Sequence, residues 1–174
     1  MLNSMSICTW GVSKPKPQVL VLLTLLCLLC ASQLSAKSIT GKVIKVKDGD
    51  TIVVLKNKTS YTIRLDGIDC PEMKQAYGSK AKQFVSAKVF GKQVRVTYTK
   101  KDRYNRYLGT VFYDVNNNLN NELLYYGLAW HYKHFNKDAN LAVIEASARN
   151  KRIGLWQDAK PIPPWEFRQA NRKK

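Results

Sequence analysis

The chain has 174 residues, with 29 Lys or Arg against 12 Asp or Glu, giving a net charge of +17 at pH 7. This excess is spread along the chain, and it favours a polyanionic partner such as nucleic acid, anionic lipid or cell wall. Only Cys70 lies beyond the first 36 residues, so an internal disulfide is excluded once those residues are removed.

The first 36 residues have the pattern of a secretory signal. Lys14 and Lys16 form a basic start, an apolar run covers Val19 to Ala31, and Leu34 to Ala36 offers a signal-peptidase site. The apolar run is shorter than the roughly 20 residues that span a bilayer. We therefore expect a cleaved signal peptide at 1–36 and a secreted or periplasmic protein, with an uncleaved anchor as the alternative.

The next part of the chain is rich in β-branched residues. The predicted strands cover residues 39–47, 51–57, 61–66, 93–99 and 107–115. Asp-Gly-Asp at 48–50 joins the first two as a hairpin. A helix from about Ser79 to Phe90 precedes the fourth strand, with Gly91 at its end. Five short strands with a helix after the third predict an α+β fold, a five-stranded Greek-key barrel of the OB type.

The C-terminal third is predicted to be helical. A short helix covers 120–127, and a longer one covers 137–154, with Asp138 as its N-cap. The buried stripe of the longer helix is expected to be Leu141, Ile144 and Ala148. The proline-rich, basic segment at 159–174 is expected to be extended and at best partly ordered.

These elements predict a single folded domain at 37–158, between the signal peptide and the C-terminal tail. The domain with its tail has about 138 residues, enough for one hydrophobic core.

Acidic residues cluster where two predicted strands begin or end. Asp50 opens the second strand, and Asp69 and Glu72 follow the third. Taken singly, Asp-Gly-Asp is usually a turn and Pro-Glu a loop, so the ordinary reading is structural. Together, two carboxylates and a backbone carbonyl would supply half of a Ca²⁺ shell, while Arg64 and Arg106 offer forks for phosphate oxygens. This combination indicates hydrolysis of a phosphodiester.

Other candidate sites are weaker. An EF-hand is excluded because, counting from Asp48, the sixth position is Val53 rather than glycine. His131 and His134 have no acidic or cysteine neighbour in the sequence, so packing or surface exposure is the simpler interpretation. Cys70 has no histidine nearby in the sequence and is not a candidate nucleophile.

The sequence resembles the staphylococcal nuclease (thermonuclease) family. The resemblance runs through GKVIKVKDGDT, RLDGIDCPE, YGSKAKQF, KDRYNRYLG, NNELLYYGLAW and IGLW, and so covers nearly all of the chain after the leader. Its most specific motif is the step from Arg64 to Asp69, followed by Pro71 and Glu72. The resemblance implies an OB-fold barrel with three helices and a Ca²⁺-dependent nuclease that cuts DNA and RNA at the 5′-oxygen–phosphorus bond, leaving 3′-phosphates.

The resemblance also implies roles for individual residues. Asp50 and Asp69 match the family's metal-binding carboxylates, and Cys70 matches the position whose backbone carbonyl is a ligand. Glu72 matches the residue to which the general-base role is assigned, and Arg64 and Arg106 match the two phosphate-binding arginines.

Two aromatic residues are assigned to substrate binding. Tyr104 matches the family's nucleotide platform, and Tyr132 is assigned to base or sugar stacking, although its segment is shorter than in the family. Asn105 stands where glycine is usual before the second arginine, and we expect it to adopt the same left-handed turn.

Two other function classes remain open. A catalytically silent OB-type binding module would keep the fold without the charged constellation, whereas here each acid and arginine position is filled. An anionic-surface adhesin would explain the charge but not the clustered carboxylates. The implied partners are DNA and RNA as substrates, with no stable protein partner and a monomeric state.

Overall fold

The structure is a computed structural model that describes residues 37–172. The signal peptide predicted at 1–36 lies outside the described residues and stays a prediction. Across the described part, no helix is both long enough and apolar enough to cross a membrane.

Five long strands form a closed barrel. The strands of the described chain are β1 (Lys37–Val46), β2 (Thr51–Lys56), β3 (Thr59–Leu65), β4 (Ile68–Asp69), β5 (Gln93–Lys101), β6 (Tyr107–Tyr113), β7 (Asn117–Asn118) and β8 (Trp130–His131). The main sheet has the order β3-β2-β1-β5-β6-β7, and a further parallel pairing of β3 with β6 closes it. The short β4 pairs with β8 in a separate two-stranded sheet. The predicted OB-type α+β fold is confirmed.

Four α-helices accompany the barrel within the described residues. They are α1 (Gly78–Val89), α2 (Leu119–Tyr125), α3 (Ala139–Asn150) and α4 (Pro164–Arg172), with a 3₁₀ turn at Gly154–Gln157. The predicted ends are confirmed at two places: Asp138 caps α3 by accepting a hydrogen bond from the Asn140 N–H at 2.8 Å, and Gly91, two residues after α1, has φ of 76°.

The core lies inside the barrel and under α1 and α2. Alternate residues of the strands point inward, among them Ile52, Ile63 and Val96, each fully buried. A second cluster joins Trp130 and Trp156 beside the end of α3, and the partly buried Trp165 packs against it. These tryptophans therefore act as structural anchors.

Two expectations about the C-terminal part are corrected. In α3, Leu141 and Ala148 are buried as predicted, but Ile144 is only partly buried and Glu145 is 1% exposed. Burial of Glu145 is tolerated because Lys133 and Arg149 lie 2.8 and 3.2 Å from its oxygens.

The tail is not extended, because residues 164–172 form helix α4. Pro164 suits the first helical turn, where the missing N–H needs no partner. Glu166 in the first turn and Arg172 in the last turn complement the helix dipole. α4 is thus a fourth helix, beyond the three that the family resemblance implies.

One buried amide ties α2 to the barrel. Asn120 is 2% exposed, and its Oδ1 accepts a hydrogen bond from the Val111 N–H at 3.1 Å. Its Nδ2 donates to the carbonyls of Asp66 at 2.9 Å and Gly109 at 3.3 Å. The side chain therefore fixes the end of β3 against β6, next to the acidic segment that follows β3.

We predict that Asn120→Ala lowers the free energy of unfolding by about 2 kcal/mol, because it leaves buried backbone groups without hydrogen-bond partners. Urea denaturation of the purified protein measures the change. The exposed Asn117 offers a matched control, and Asn117→Ala should change the stability by less than about 0.5 kcal/mol. Equal stability of the two variants would show that the Asn120 hydrogen bonds contribute nothing net.

Candidate active site

The first carboxylate of the site is delivered by the hairpin between β1 and β2. Thr51 pairs with Arg64 across β2 and β3, and the Leu65 N–H donates to the Asp50 carbonyl at 2.8 Å. Adjacent strands thereby set Asp50 beside Arg64. Gly49 is required for close approach rather than for a special backbone angle, since a Cβ there would lie 2.8 Å from the Cβ of Cys70.

The Arg64 guanidinium holds the segment that follows its own strand. Its Nη1 donates to the carbonyls of Leu65 and Ile68, both at 2.8 Å, and its Nη2 donates to Asp69 Oδ1 at 2.7 Å. Its Nε lies 3.1 Å from Asp50 Oδ1. One buried arginine therefore joins the two aspartates that the sequence assigned to a metal.

Asp50 is nearly enclosed by donors and by charge. Its Oδ2 accepts a hydrogen bond from the Cys70 N–H at 2.8 Å, and its Oδ1 accepts one from the Thr51 hydroxyl at 3.1 Å. Burial, together with repulsion from Asp48 and Asp69, raises the pKa of Asp50 to about 7, although Arg64 acts to lower it. The contact with Arg64 thus does not offset the cost of burying the Asp50 carboxylate.

Cys70 is buried as a free thiol. Burial first, and then the charge of Asp50, raise the pKa of its thiol well above the usual range. A neutral, enclosed thiol is a poor nucleophile, in agreement with the sequence interpretation. Its backbone, which donates to Asp50, is the part of Cys70 that the site uses.

Glu72 lies at the solvent side of the pair, with its side chain 41% exposed. The contact that it makes there was not predicted: Arg168 of α4 places Nη1 2.8 Å from Glu72 Oε1. The Nη2 of the same guanidinium lies 2.8 Å from Asp69 Oδ2. The basic segment predicted at 159–174 is therefore ordered at Arg168, which binds the acidic site.

Arg106 and Tyr104 lie on a neighbouring turn. Asn105 has φ of 61°, which confirms the predicted left-handed turn. Arg106 Nε lies 2.7 Å from Asp102 Oδ2, and among the described residues it makes no ion pair with the acids on Arg64. Burial acts to raise the pKa of Asp102, but hydrogen bonds from the N–H groups and guanidinium of this turn lower it.

This turn forms one wall of a cleft of about 440 Å³. The lining includes Lys47, Lys101, Tyr104, Arg106 and Tyr107. The parallel register of Ile63 with Tyr107 sets this wall beside β3, the strand that carries Arg64. A cationic, aromatic cleft beside the strand that carries Arg64 suits a phosphate chain with attached bases.

Tyr132 is partly buried and its ring is covered by the tail. The ring of Trp165 stacks on it with centroids 5.4 Å apart and planes 6° apart. The assignment of Tyr132 to base or sugar stacking stays a prediction. It requires a nucleotide to stack on the Tyr132 face that Trp165 leaves open, or Trp165 to move away.

The residues present fit a hard divalent cation. No group of three or more His, Cys, Asp or Glu side chains suited to a metal occurs between residues 37 and 172. An ion here would rely on Asp50 and Asp69, with backbone and water oxygens completing the shell, as Ca²⁺ accepts. His131 is 3% exposed inside the fold and His134 is exposed, which agrees with packing for the first and surface exposure for the second.

Comparison with known proteins agrees with this geometry. A family described as staphylococcal nuclease homologue matches residues 62–158. An uncharacterized endonuclease of Escherichia coli O157:H7 is 44% identical over 130 residues, which are 75% of this chain and 85% of that protein. A micrococcal nuclease of Shigella flexneri is 38% identical over 142 residues, 76% of this chain and 82% of its own length. The Arabidopsis thaliana staphylococcal-like nuclease CAN1 is 42% identical over 113 residues, 64% of this chain and 34% of its own length. The chain belongs to the family of staphylococcal nuclease homologues, and its activity class is that of a nuclease.

Proposed function

We propose that the protein is a Ca²⁺-dependent endonuclease that hydrolyses DNA and RNA at the 5′-oxygen–phosphorus bond and leaves 3′-phosphates. The observation that carries the proposal is the pair of buried carboxylates on one guanidinium. The side chains of Asp50 and Asp69 are 9% and 2% exposed, and both contact Arg64. Two buried negative charges with one buried positive charge favour a further cation, and the partly exposed Arg168 guanidinium supplies one in this structure, 2.8 Å from Asp69 Oδ2.

Asp50 and Asp69, with the backbone of Cys70, would hold the ion. A bound Ca²⁺ would place positive charge against a non-bridging phosphate oxygen, which makes phosphorus more electrophilic and offsets the charge that grows in the transition state. Because few protein ligands are available, we expect weak affinity, in the range of about 10⁻⁴ to 10⁻³ M that extracellular calcium modules show.

The side chains of this protein then have separate tasks. Glu72 lies at the mouth of the site, where a carboxylate can take a proton from the attacking water. The water oxygen bonds to phosphorus as the bond to the 5′ oxygen breaks, so the products are a 3′-phosphate and a 5′-hydroxyl. Arg106, at the edge of the cationic cleft, would bind phosphate oxygens and favour departure of the 5′ oxygen.

Arg64 has a dual task in this proposal. Its guanidinium makes four contacts of 2.7 to 3.1 Å, two to backbone carbonyls and two to carboxylates, and its side chain is 12% exposed. Its first role is therefore to bring the two aspartates together. For Arg64 to bind a phosphate oxygen as well, some of its N–H groups would have to be shared between protein oxygens and the phosphate. A cation bound to the two carboxylates would allow this, because the carboxylates would then depend less on Arg64.

Tyr104 and Tyr132 would contact the nucleotide. Tyr104 is 63% exposed and lines the cleft with Arg106, a position suited to stacking on a base or sugar. We further propose that the protein acts outside the cytoplasm as a monomer, where calcium is plentiful. The leader pattern at 1–36 is the support for this location.

Digestion of covalently closed circular DNA tests the reaction. We predict cleavage of plasmid DNA and of RNA with Ca²⁺, and loss of cleavage with a chelator, because the acidic pair needs the cation to accept phosphate. The assay uses purified protein freed of its leader and gel analysis of the products. Binding of DNA without cleavage would favour the silent OB-type module instead. Cleavage that persists in the chelator would contradict the role of the metal.

Replacement of one arginine tests the phosphate-binding assignment. Arg106→Ala should lower kcat by about 10²- to 10³-fold, the effect of removing one preorganised donor at a transition-state oxygen. The exposed Arg95 of β5 carries the same charge and contacts Asn116 and Phe112 rather than the acidic site. Arg95→Ala should keep near-normal turnover. A similar loss of kcat in both variants would show that Arg106 contributes only to the overall positive charge of the protein. Melting temperatures check that both variants fold.

A further inference from the structure

The C-terminal helix α4 closes the acidic site with its own positive charge. Arg168 contacts both oxygens of Asp69, with Nη2 2.8 Å from Oδ2 and Nη1 3.4 Å from Oδ1. It also binds Glu72 Oε1 at 2.8 Å. The positions of Arg168 and Asp69 are 99 residues apart in sequence, so the contact is a product of the tertiary fold.

A second contact of α4 covers Tyr132, which is assigned to substrate binding. Trp165, one turn before Arg168, stacks on Tyr132 and meets the ring of Trp130 edge-on at 5.6 Å. Before the helix begins, the carbonyl of Ile162 accepts a hydrogen bond from Gln75 Nε2 at 3.1 Å. The tail is therefore attached at three places around the site.

The guanidinium of Arg168 occupies the coordination space that a cation on the pair would use. The Arg168 guanidinium and a divalent cation would both bind Asp69, and two positive charges repel each other strongly in a partly desolvated site. The part of the contact that involves Glu72 lies at the surface, because the Arg168 and Glu72 side chains are 35% and 41% exposed, whereas the Asp69 side chain is 2% exposed. The Arg168–Glu72 ion pair is therefore weak and easily exchanged.

We propose that α4 is an autoinhibitory latch, in which Arg168 competes with the divalent cation for Asp69 and Glu72 while Trp165 covers Tyr132. This inference rests on the proposed function, because it takes Asp50 and Asp69 as the cation site. Binding of the cation displaces Arg168, and movement of α4 then uncovers Tyr132 for the nucleotide. Low calcium would keep the chain closed, and high calcium would open it.

Calcium titration by calorimetry tests the competition without reference to activity. Arg168→Gln should bind Ca²⁺ about tenfold more tightly than the wild-type chain, a change of about 1.4 kcal/mol. Arg172→Gln removes the same charge from an exposed position of the same helix and should leave the affinity within about twofold. Equal affinities of the two variants would overturn the latch.

Hydrogen exchange tests the movement of the helix. In the wild-type protein, saturating Ca²⁺ should increase exchange at the amides of 165–172. Unchanged protection of these amides at saturation would overturn the proposal. Trp165→Ala, which keeps every charge, should also tighten Ca²⁺ binding, and it substitutes for Arg168→Gln if that variant does not fold.

The outcomes separate this inference from the proposed function. If wild type and Arg168→Gln bind Ca²⁺ equally and both cut DNA, the latch fails and the nuclease assignment stands. If neither protein binds Ca²⁺ nor cuts DNA with it, the proposed function fails and the latch fails with it. Tight binding by Arg168→Gln beside weak binding by wild type supports both.

Discussion

The charge imbalance of two buried carboxylates on one buried guanidinium governs this protein. Asp50 and Asp69 are nearly excluded from water, and Arg64 supplies a single positive charge between them. Buried charge is costly unless it is paired, so the cluster favours one more cation. Arg168 is that cation in the present structure, and a divalent ion would take the place in the proposed reaction. The imbalance thus gives one physical reason for both the proposed metal site and the proposed latch.

The barrel keeps this unfavourable arrangement in place. Adjacent strands β2 and β3 present Asp50 and Arg64 side by side, and the turn at Gly67 returns the chain to β4 so that Asp69 reaches the same guanidinium. Asn120 fixes that turn through the carbonyl of Asp66. The site lies at strand ends, so the charged cluster does not interrupt packing inside the barrel. Burial of the hydrophobic core can therefore offset the free-energy cost of holding these charges together.

Short-range patterns in the sequence predicted much of this structure. Alternation and turn residues indicate the five long strands, and the N-cap at Asp138 follows from local chemistry. The turn at Asn105 follows from the family resemblance, with asparagine in place of the usual glycine. Long-range pairing is different, because local propensity contains no information about which distant charge will meet the site. Arg168 was missed for that reason, and Glu145 was missed because ion pairs made its burial possible. Pro164 and the charges at the two ends of the tail favour a helix. The high proline content of the segment pointed to an extended chain instead.

Anomalous diffraction from a crystal grown with Ca²⁺ tests the central claim most directly. A calcium peak is expected about 2.3–2.6 Å from carboxylate oxygens of both Asp50 and Asp69. A crystal without such a peak, at a Ca²⁺ concentration that supports DNA cleavage in solution, would contradict the account. The charge imbalance would then have to be met in another way, and the buried pair would have a purely structural role.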